Sequence, residues 1–449
     1  MLRITVLGGG YLGVVSAICF CECGFYVDII EINPKRLKDL KNYIVSVYEP
    51  SFESNLKKHH EQGYLRFFEH LKDSHSAVDV IVIAVPGVGS DNLAVHKAIQ
   101  DISVLLTRDK YTCIVINTIT VVGTCSIIKK NMRFMRPDLT LGEHYDIVLI
   151  PTFLKEGYAL HDFMLPSRLV IGMDPDSNKA RELINKLHAG IILSDIPVVY
   201  TNHETAELIR YVTTAFELSK ITLINEVSEL CEKVGADIGG LITGVGLDEN
   251  IGMNLLKVTH GYGGVGQSAL IHGLIRIGEI FGVNLRIAQA TIESNDERIG
   301  NIAKKIIRQI TDGEINERKK VAILGLTYRP QTNEVRESPN IKIVEELLKS
   351  GITVAAYDPS LSTEMPDIRQ IIPQQILDST GFQLSASPYE AANQSNILVI
   401  MTSWSEFISI DFNKIAEIMN KKPNGSPKVM NYSDMFSKSP FKNFDICKM

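Results

Sequence analysis

A chain of 449 residues exceeds the size at which one hydrophobic core keeps growing, so two or three domains are expected. Its 45% hydrophobic content marks a globular protein, and a net charge of −6 with a pI near 6.0 supplies no broad basic field, which argues against nucleic acid as a partner. No apolar run reaches membrane-spanning length and no basic-then-apolar segment opens the chain, so a cytoplasmic protein without a membrane partner is expected, its seven cysteines kept as thiols.

The first stretch, Arg3 to Leu7, is apolar and β-branched and is short enough for a buried parallel strand. It turns through Gly8, Gly10 and Gly13, which satisfy the G-x-G-x-x-G pattern. In that pattern the first glycine permits the turn, the second lets a pyrophosphate approach the backbone, and the third lets the following helix pack closely on the strand. Tyr11 and Leu12 open that helix, expected to Cys23; a second strand, Phe25 to Ile30, ends at Glu31. An acidic side chain there suits the ribose hydroxyls of NAD and repels the 2′-phosphate of NADP, with Arg36 close by as a moderating charge. Cys19, Cys21 and Cys23 resemble metal ligands only on paper: helical spacing turns Cys21 away from the other two, so they are read as small buried residues and no metal site is expected.

Further strands are expected at Asp79 to Val85, Cys113 to Asn117 and Asp146 to Ile150. The loops after them fall where a cofactor would lie: Val85 and Pro86 to Gly89, then Thr118 to Thr124, then Phe153-Leu154-Lys155-Glu156-Gly157. From His203 to about Gly235 the apolar spacing becomes helical and forms a stripe wider than one neighbour can cover, which predicts a long spine helix and a homodimer surface. The segment Gly239 to Gly266 is rich in glycine and suits backbone contact with a ligand. The last third restarts an α/β pattern, with strands at Lys320 to Leu326, Thr353 to Tyr357 and Ile397 to Met401 and a helix from Ile341 to Lys349. The fold class is therefore α/β: an N-terminal Rossmann domain (1–200) for NAD, a central helical dimerisation domain (201–310) and a second Rossmann-like domain (311–449). A nucleotide-linked ligand is expected where the domains meet.

Taken together, Gly8-Gly9-Gly10-Tyr11-Leu12-Gly13, Phe153 to Gly157, Asn225-Glu226, Gly261-Tyr262-Gly263-Gly264, Leu324 to Pro330 and Arg336-Glu337-Ser338-Pro339 resemble the UDP-glucose/GDP-mannose dehydrogenase family over nearly the whole chain. The resemblance implies oxidation of a primary alcohol to a carboxylate with two NAD per turnover, on a nucleotide-linked substrate such as a UDP-sugar. It also implies roles. Glu156 and Arg336 match positions that approach NAD, beside Val85 and Thr118; Phe153, Leu154, Lys257, Tyr262, Gly263 and Arg329 match positions around the nucleotide sugar. The family's catalytic positions are altered. Gly266 stands in place of the nucleophilic Cys, Ala269 and Leu270 in place of the following Lys and Asp, Thr152 in place of a Glu, Arg210 and Thr214 in place of a helical Lys and Asn, and Asn250 in place of an intersubunit Arg.

A thiolate is what captures the intermediate aldehyde for a second oxidation, and guanidinium is a poor proton acceptor. Three readings follow: a dehydrogenase that performs one two-electron step with His260 or Lys155 as base, a binding protein that keeps NAD without turnover, and the full reaction with Cys125 as a displaced nucleophile.

Overall fold

The computed structural model describes residues 2–45, 49–74, 78–87, 92–311, 319–365, 368–420, 425–433, 435–436 and 439–447. Part of one expected cofactor loop, Val88 and Gly89, lies outside these residues. The chain divides into two compact units, Met1–Thr213 and Thr214–Met449.

In the first unit the order is β1 (Arg3–Leu7), α1 (Tyr11–Glu22), β2 (Tyr26–Ile30), α2 (Pro34–Lys41), α3 (Phe52–Glu61), β3 (Leu65–Phe68), β4 (Val80–Ile83), α4 (Leu93–Leu105), β5 (Thr112–Ile116), α5 (Thr124–Met135) and β6 (Tyr145–Leu149). Then come α6 (Ala159–Met164), β7 (Leu169–Gly172), α7 (Asn178–Leu187), α8 (Ala189–Leu193), β8 (Val198–Thr201) and the start of α9 (His203–Val234). The strands form one sheet in the order β3-β2-β1-β4-β5-β6-β7-β8, parallel except where β7 meets β6 through Leu149 and Gly172. Its first six strands have the doubly wound order, in which the chain reverses direction between β1 and β4 and opens a crevice at the strands' C-terminal ends.

The sheet is covered on both faces, which is why its strands read as unbroken apolar runs rather than alternating ones. Ile4, Val6, Val80 and Val82 point to a core shared with α1, while Leu7, Ile81 and Ile83 point to the opposite one with α4 and α5. Helix α1 is buried from Gly13 to Cys21. Cys19 and Cys21 are both in that core, with their thiols directed to different carbonyls, those of Leu160 and Tyr64, whereas Cys23 is exposed. Burial pushes the Cys21 thiol up to about 12.

The second unit continues α9 from Thr214 and adds α10 (Ile238–Gly246), α11 (Val265–Ile280), α12 (Arg286–Thr311), β9 (Lys320–Leu324), α13 (Pro339–Lys349), β10 (Thr353–Tyr357), β11 (Phe382–Leu384), β12 (Ile397–Ile400), β13 (Lys428–Asn431) and β14 (Asp445–Ile446). Its parallel sheet runs β11-β10-β9-β12-β13-β14, so the second sheet repeats the strand order of β1 to β6. The acidic residue after its second strand ties down the first turn. Asp358 is fully buried and accepts hydrogen bonds from the backbone N–H groups of Leu326 and Thr327 at 2.8 and 3.0 Å and from the Thr327 hydroxyl, so it organises the first turn of its own fold.

Candidate functional site

The glycine turn after β1 gives each glycine a separate physical reason. Gly8 has φ +107°, and a Cβ there would lie 2.8 Å from the Ala84 carbonyl oxygen. At Gly13 a Cβ would overlap the carbonyl oxygen of Gly8, so only glycine lets α1 begin this close to its strand. Gly10 differs: nothing lies within 4 Å of its Cβ position, and as the N-cap of α1 it contributes no side-chain acceptor. The backbone is thus open where a diphosphate would approach, and the N–H groups of α1 point there. This arrangement fits a dinucleotide.

Glu31, buried to 4% exposure at the end of β2, borders the same turn. Its Oε2 accepts from the Gly9 N–H at 3.0 Å and from Arg36 Nη1 at 3.2 Å, and its Oε1 from the Asn33 N–H at 2.8 Å. The carboxylate is therefore fixed in orientation, with Oε1 carrying one partner and keeping acceptor capacity. Val85 follows β4, and Thr118, buried, follows β5.

The loop after β6 closes this rim. Two guanidinium groups approach the Phe153 ring, with Arg168 Cζ 4.1 Å and Arg210 Cζ 5.5 Å from its centroid. Arg168 in turn donates to Thr213 Oγ1 at 3.0 Å. Thr152, Phe153 and Leu154 line a small cavity with Asn117, Phe163 and His188. Lys155 is exposed, and its backbone N–H donates to Asp162. The tail of the loop is held by Glu49, whose Oε2 accepts from Gly157 N–H at 2.6 Å and whose Oε1 accepts from Ala159 N–H at 2.7 Å.

Sequence reasoning missed Glu49, Glu207 and Tyr211. Glu207 on α9 accepts from the N–H groups of Gly123 and Cys125 at 2.6 and 2.9 Å, capping α5, whose own N-cap is a glycine. Tyr211 donates to the Thr120 carbonyl at 3.0 Å. Acidic and aromatic residues on a helix carry no such signal, because their partners are distant in sequence. Cys125 is fully buried, and burial followed by the Glu207 charge pushes its thiol well above the usual range. A thiol so placed does not supply a thiolate.

In the second unit Gly261 to Gly264 pack on the turn before α13. Gly264 N–H donates to the Glu337 carbonyl at 3.1 Å, a Cβ at Gly263 would overlap that oxygen, and the Cβ position of Gly264 faces the Tyr328 ring at 2.9 Å. Tyr262 N–H donates to Asn295 Oδ1 at 2.9 Å. The loops bearing Tyr262, Gly263, Arg329 and Arg336 are thereby brought together; Lys257 is exposed, Arg329 lies 5.1 Å from the Tyr328 centroid, and Arg336 pairs with Glu334. Gly266 is exposed in the first turn of α11, with nothing within 4 Å of its Cβ position; Leu270, a turn later, is buried. Thr214 is buried on α9. Asn250 pairs with Asp248. His260 is buried, and burial, reinforced by the charges of Arg298 and Lys257, lowers its pKa to about 4.

Three family profiles match in succession: the UDP-glucose/GDP-mannose dehydrogenase NAD binding domain over residues 2–192, the central domain over 204–297 and the UDP binding domain over 322–426. The chain belongs to the UDP-glucose/GDP-mannose dehydrogenase family. It is 34% identical over 426 residues to the UDP-glucose 6-dehydrogenase of Rhizobium meliloti, covering 93% of each chain, and 31% identical to UDP-glucose 6-dehydrogenase TuaD of Bacillus subtilis, covering 97% of this chain and 90% of that one. Among solved structures, a UDP-glucose dehydrogenase from Pyrobaculum islandicum superposes with a TM-score of 0.81 at 26% identity, covering 96% of this chain and 94% of that one. As a member of this dehydrogenase family the protein is an NAD-dependent oxidoreductase, and the open glycine turn at Gly10 is where its own residues fit that cofactor.

Proposed function

We propose that this dehydrogenase oxidises one CH–OH group of a UDP-linked sugar in a single two-electron step, releasing a carbonyl product rather than a uronic acid. The observation that carries the reading is Gly266: the first turn of α11 presents no side chain where the family's thiol is expected. A carbonyl cannot yield a second hydride until a nucleophile adds to it, and Leu270, Ala269 and Thr152 offer no carboxylate or amine to activate water instead. Cys125 is a poor substitute, because its thiol is sealed in the core beside Glu207.

This reading assigns cofactor binding to Gly8, Gly10, Tyr11, Leu12, Gly13, Glu31, Arg36, Val85, Thr118, Glu156 and Arg336, and nucleotide-sugar binding to Phe153, Leu154, Lys257, Tyr262, Gly263 and Arg329. Bound NAD would supply the hydride acceptor for the carbon, and the alcohol proton would pass to a base on this chain. A base near pKa 4 is mismatched to neutral pH, which counts against His260; the other candidate, Lys155, is exposed in the loop after β6. The reading includes a cytoplasmic homodimer. Phe216, Leu223 and Leu230 recur at seven-residue intervals along α9 and are 73%, 59% and 57% exposed, an apolar stripe suited to a second copy; among the described residues no helix is long and apolar enough to cross a membrane.

The test is incubation of the purified protein with NAD and a panel of UDP-sugars, with NADH followed optically and products identified by mass spectrometry. One NADH per carbonyl product is expected, unaffected by thiol alkylation. Two NADH per carboxylate, abolished in Cys125→Ala, would reject the single-step reading; NAD binding by calorimetry without NADH from any sugar would favour a binding protein.

A further inference from the structure

Glu49 lies in the chain between α2 and α3 rather than at a strand end; it is 6% exposed and its carboxylate makes three hydrogen bonds. Two hold the Gly157 and Ala159 N–H groups; the third comes from the Tyr11 hydroxyl, which donates to Oε2 at 2.6 Å. Tyr11 is the first residue of α1 and follows Gly10 directly. Gly157 and Ala159 end the loop that carries Phe153 to Glu156 and begin α6, whose N-cap, Tyr158, supplies no side-chain acceptor. One buried carboxylate thus bridges the glycine turn and the loop after β6. Hydrogen bonds to an ionised group in a buried site are short and strong, and removing the acceptor leaves buried N–H groups unpaired. Tyr11 also packs its ring on Phe52 of α3, 5.7 Å between centroids, so the donor is itself held in place.

We propose that Glu49 is a positioning residue that couples the two sides of the site: NAD seated at Gly10 restrains Tyr11, Tyr11 restrains Glu49, and Glu49 sets the loop 153–159 against which the sugar nucleotide binds. The inference rests on the assignment of Phe153 and Leu154 to the substrate side. A carboxylate that merely capped α6 would stabilise the fold without transmitting cofactor occupancy, and this difference is measurable.

The experiment is amide hydrogen exchange of the full-length protein with and without NAD, on wild type, Glu49→Gln and Tyr11→Phe. Tyr11→Phe deletes one hydroxyl and leaves the carboxylate paired to the loop, so it folds even if Glu49→Gln does not. NAD is expected to slow exchange across residues 153–164 by about tenfold in the wild type and by less than about twofold in the variants, each protein compared at an NAD concentration that calorimetry shows to saturate it. At saturating NAD, the variants' KM for UDP-glucose is expected to rise about tenfold with kcat changed far less. Equal NAD-induced protection in all three proteins, or none in a wild type that binds NAD, overturns the coupling and leaves the dehydrogenase reading standing. Failure of the wild type to bind NAD overturns both.

Discussion

Two glycines three residues apart make opposite predictions. A methyl group at Gly13 would overlap a backbone oxygen that cannot move away without breaking the turn, so Gly13→Ala is expected to destabilise the first unit by about 2 kcal/mol or more. At Gly10 the same methyl meets open space, so Gly10→Ala should melt close to wild type yet lose at least about tenfold in NAD affinity, because the methyl fills the diphosphate's approach. Thermal unfolding with calorimetric NAD titration separates the two; a Gly10→Ala variant with wild-type affinity would remove the phosphate from this turn. Gly266 permits a gain-of-chemistry test by the same geometry. Gly266→Cys is expected to fold normally, since nothing lies within 4 Å of the new Cβ, and its thiol at the start of α11 should be alkylated readily at neutral pH. With substrate and NAD it should accumulate a covalent acyl adduct visible by intact-protein mass spectrometry, because Leu270 and Thr152 leave thioester hydrolysis without a base. Release of free uronic acid instead would show that a base is supplied from elsewhere.

At the scale of elements, α9 carries the test of assembly. Phe216→Glu with Leu223→Glu places two charges on its exposed apolar stripe, and light scattering should report half the wild-type mass at micromolar concentration; an unchanged mass would locate the contact elsewhere. The same helix shows what periodicity can reveal. Its expected start at His203 and end near Gly235 agree with His203–Val234 because a long stripe at helical spacing has no competing reading. Strand β10 agrees to the residue, and β1, β2, β4, β5 and β6 agree within one or two, since doubly buried parallel strands read as apolar runs bounded by turn residues. Strand β3, Leu-Arg-Phe-Phe, was not legible: Arg66 interrupts the run, and it is tolerated because its guanidinium pairs with buried Asp28 across the strand pair. Within the site, the glycine turn could be read because backbone sterics demand glycine at Gly8 and Gly13 at a fixed spacing. Glu49 and Glu207 could not, because a buried carboxylate that receives N–H groups from 82 to 110 residues away looks like any surface acid in the sequence.

For the whole molecule, each compact unit holds a buried histidine whose protonation the fold opposes. Burial alone lowers the pKa of His188 in the first unit to about 4, and burial with the Arg298 and Lys257 charges does the same for His260 in the second. An unfolded histidine titrates near 6.5, so between pH 6.5 and 4 the unfolded chain binds protons that the folded units refuse. The sign follows: this contribution to stability is complete above pH 6.5 and falls as pH drops toward 4, at up to about 1.4 kcal/mol per pH unit for each histidine. His203, whose pKa burial also lowers, adds in the same direction, whereas Glu207 and Asp146, whose carboxyls burial raises, oppose it. The exposed ion-paired carboxylates Glu22 and Asp138 are held low and lose their contribution only below the ordinary carboxylate range, so a window from pH 7 to 5 isolates the buried groups. Urea unfolding across that window should therefore show the second unit weakening with acid, and the first unit weakening only as far as His188 and His203 outweigh Glu207 and Asp146. His188→Gln should flatten the dependence of the first unit's transition and leave the second's intact, and His260→Gln should do the reverse. A single transition whose acid sensitivity survives both substitutions would mean that neither buried imidazole controls it and that the proton-linked group lies elsewhere in the fold.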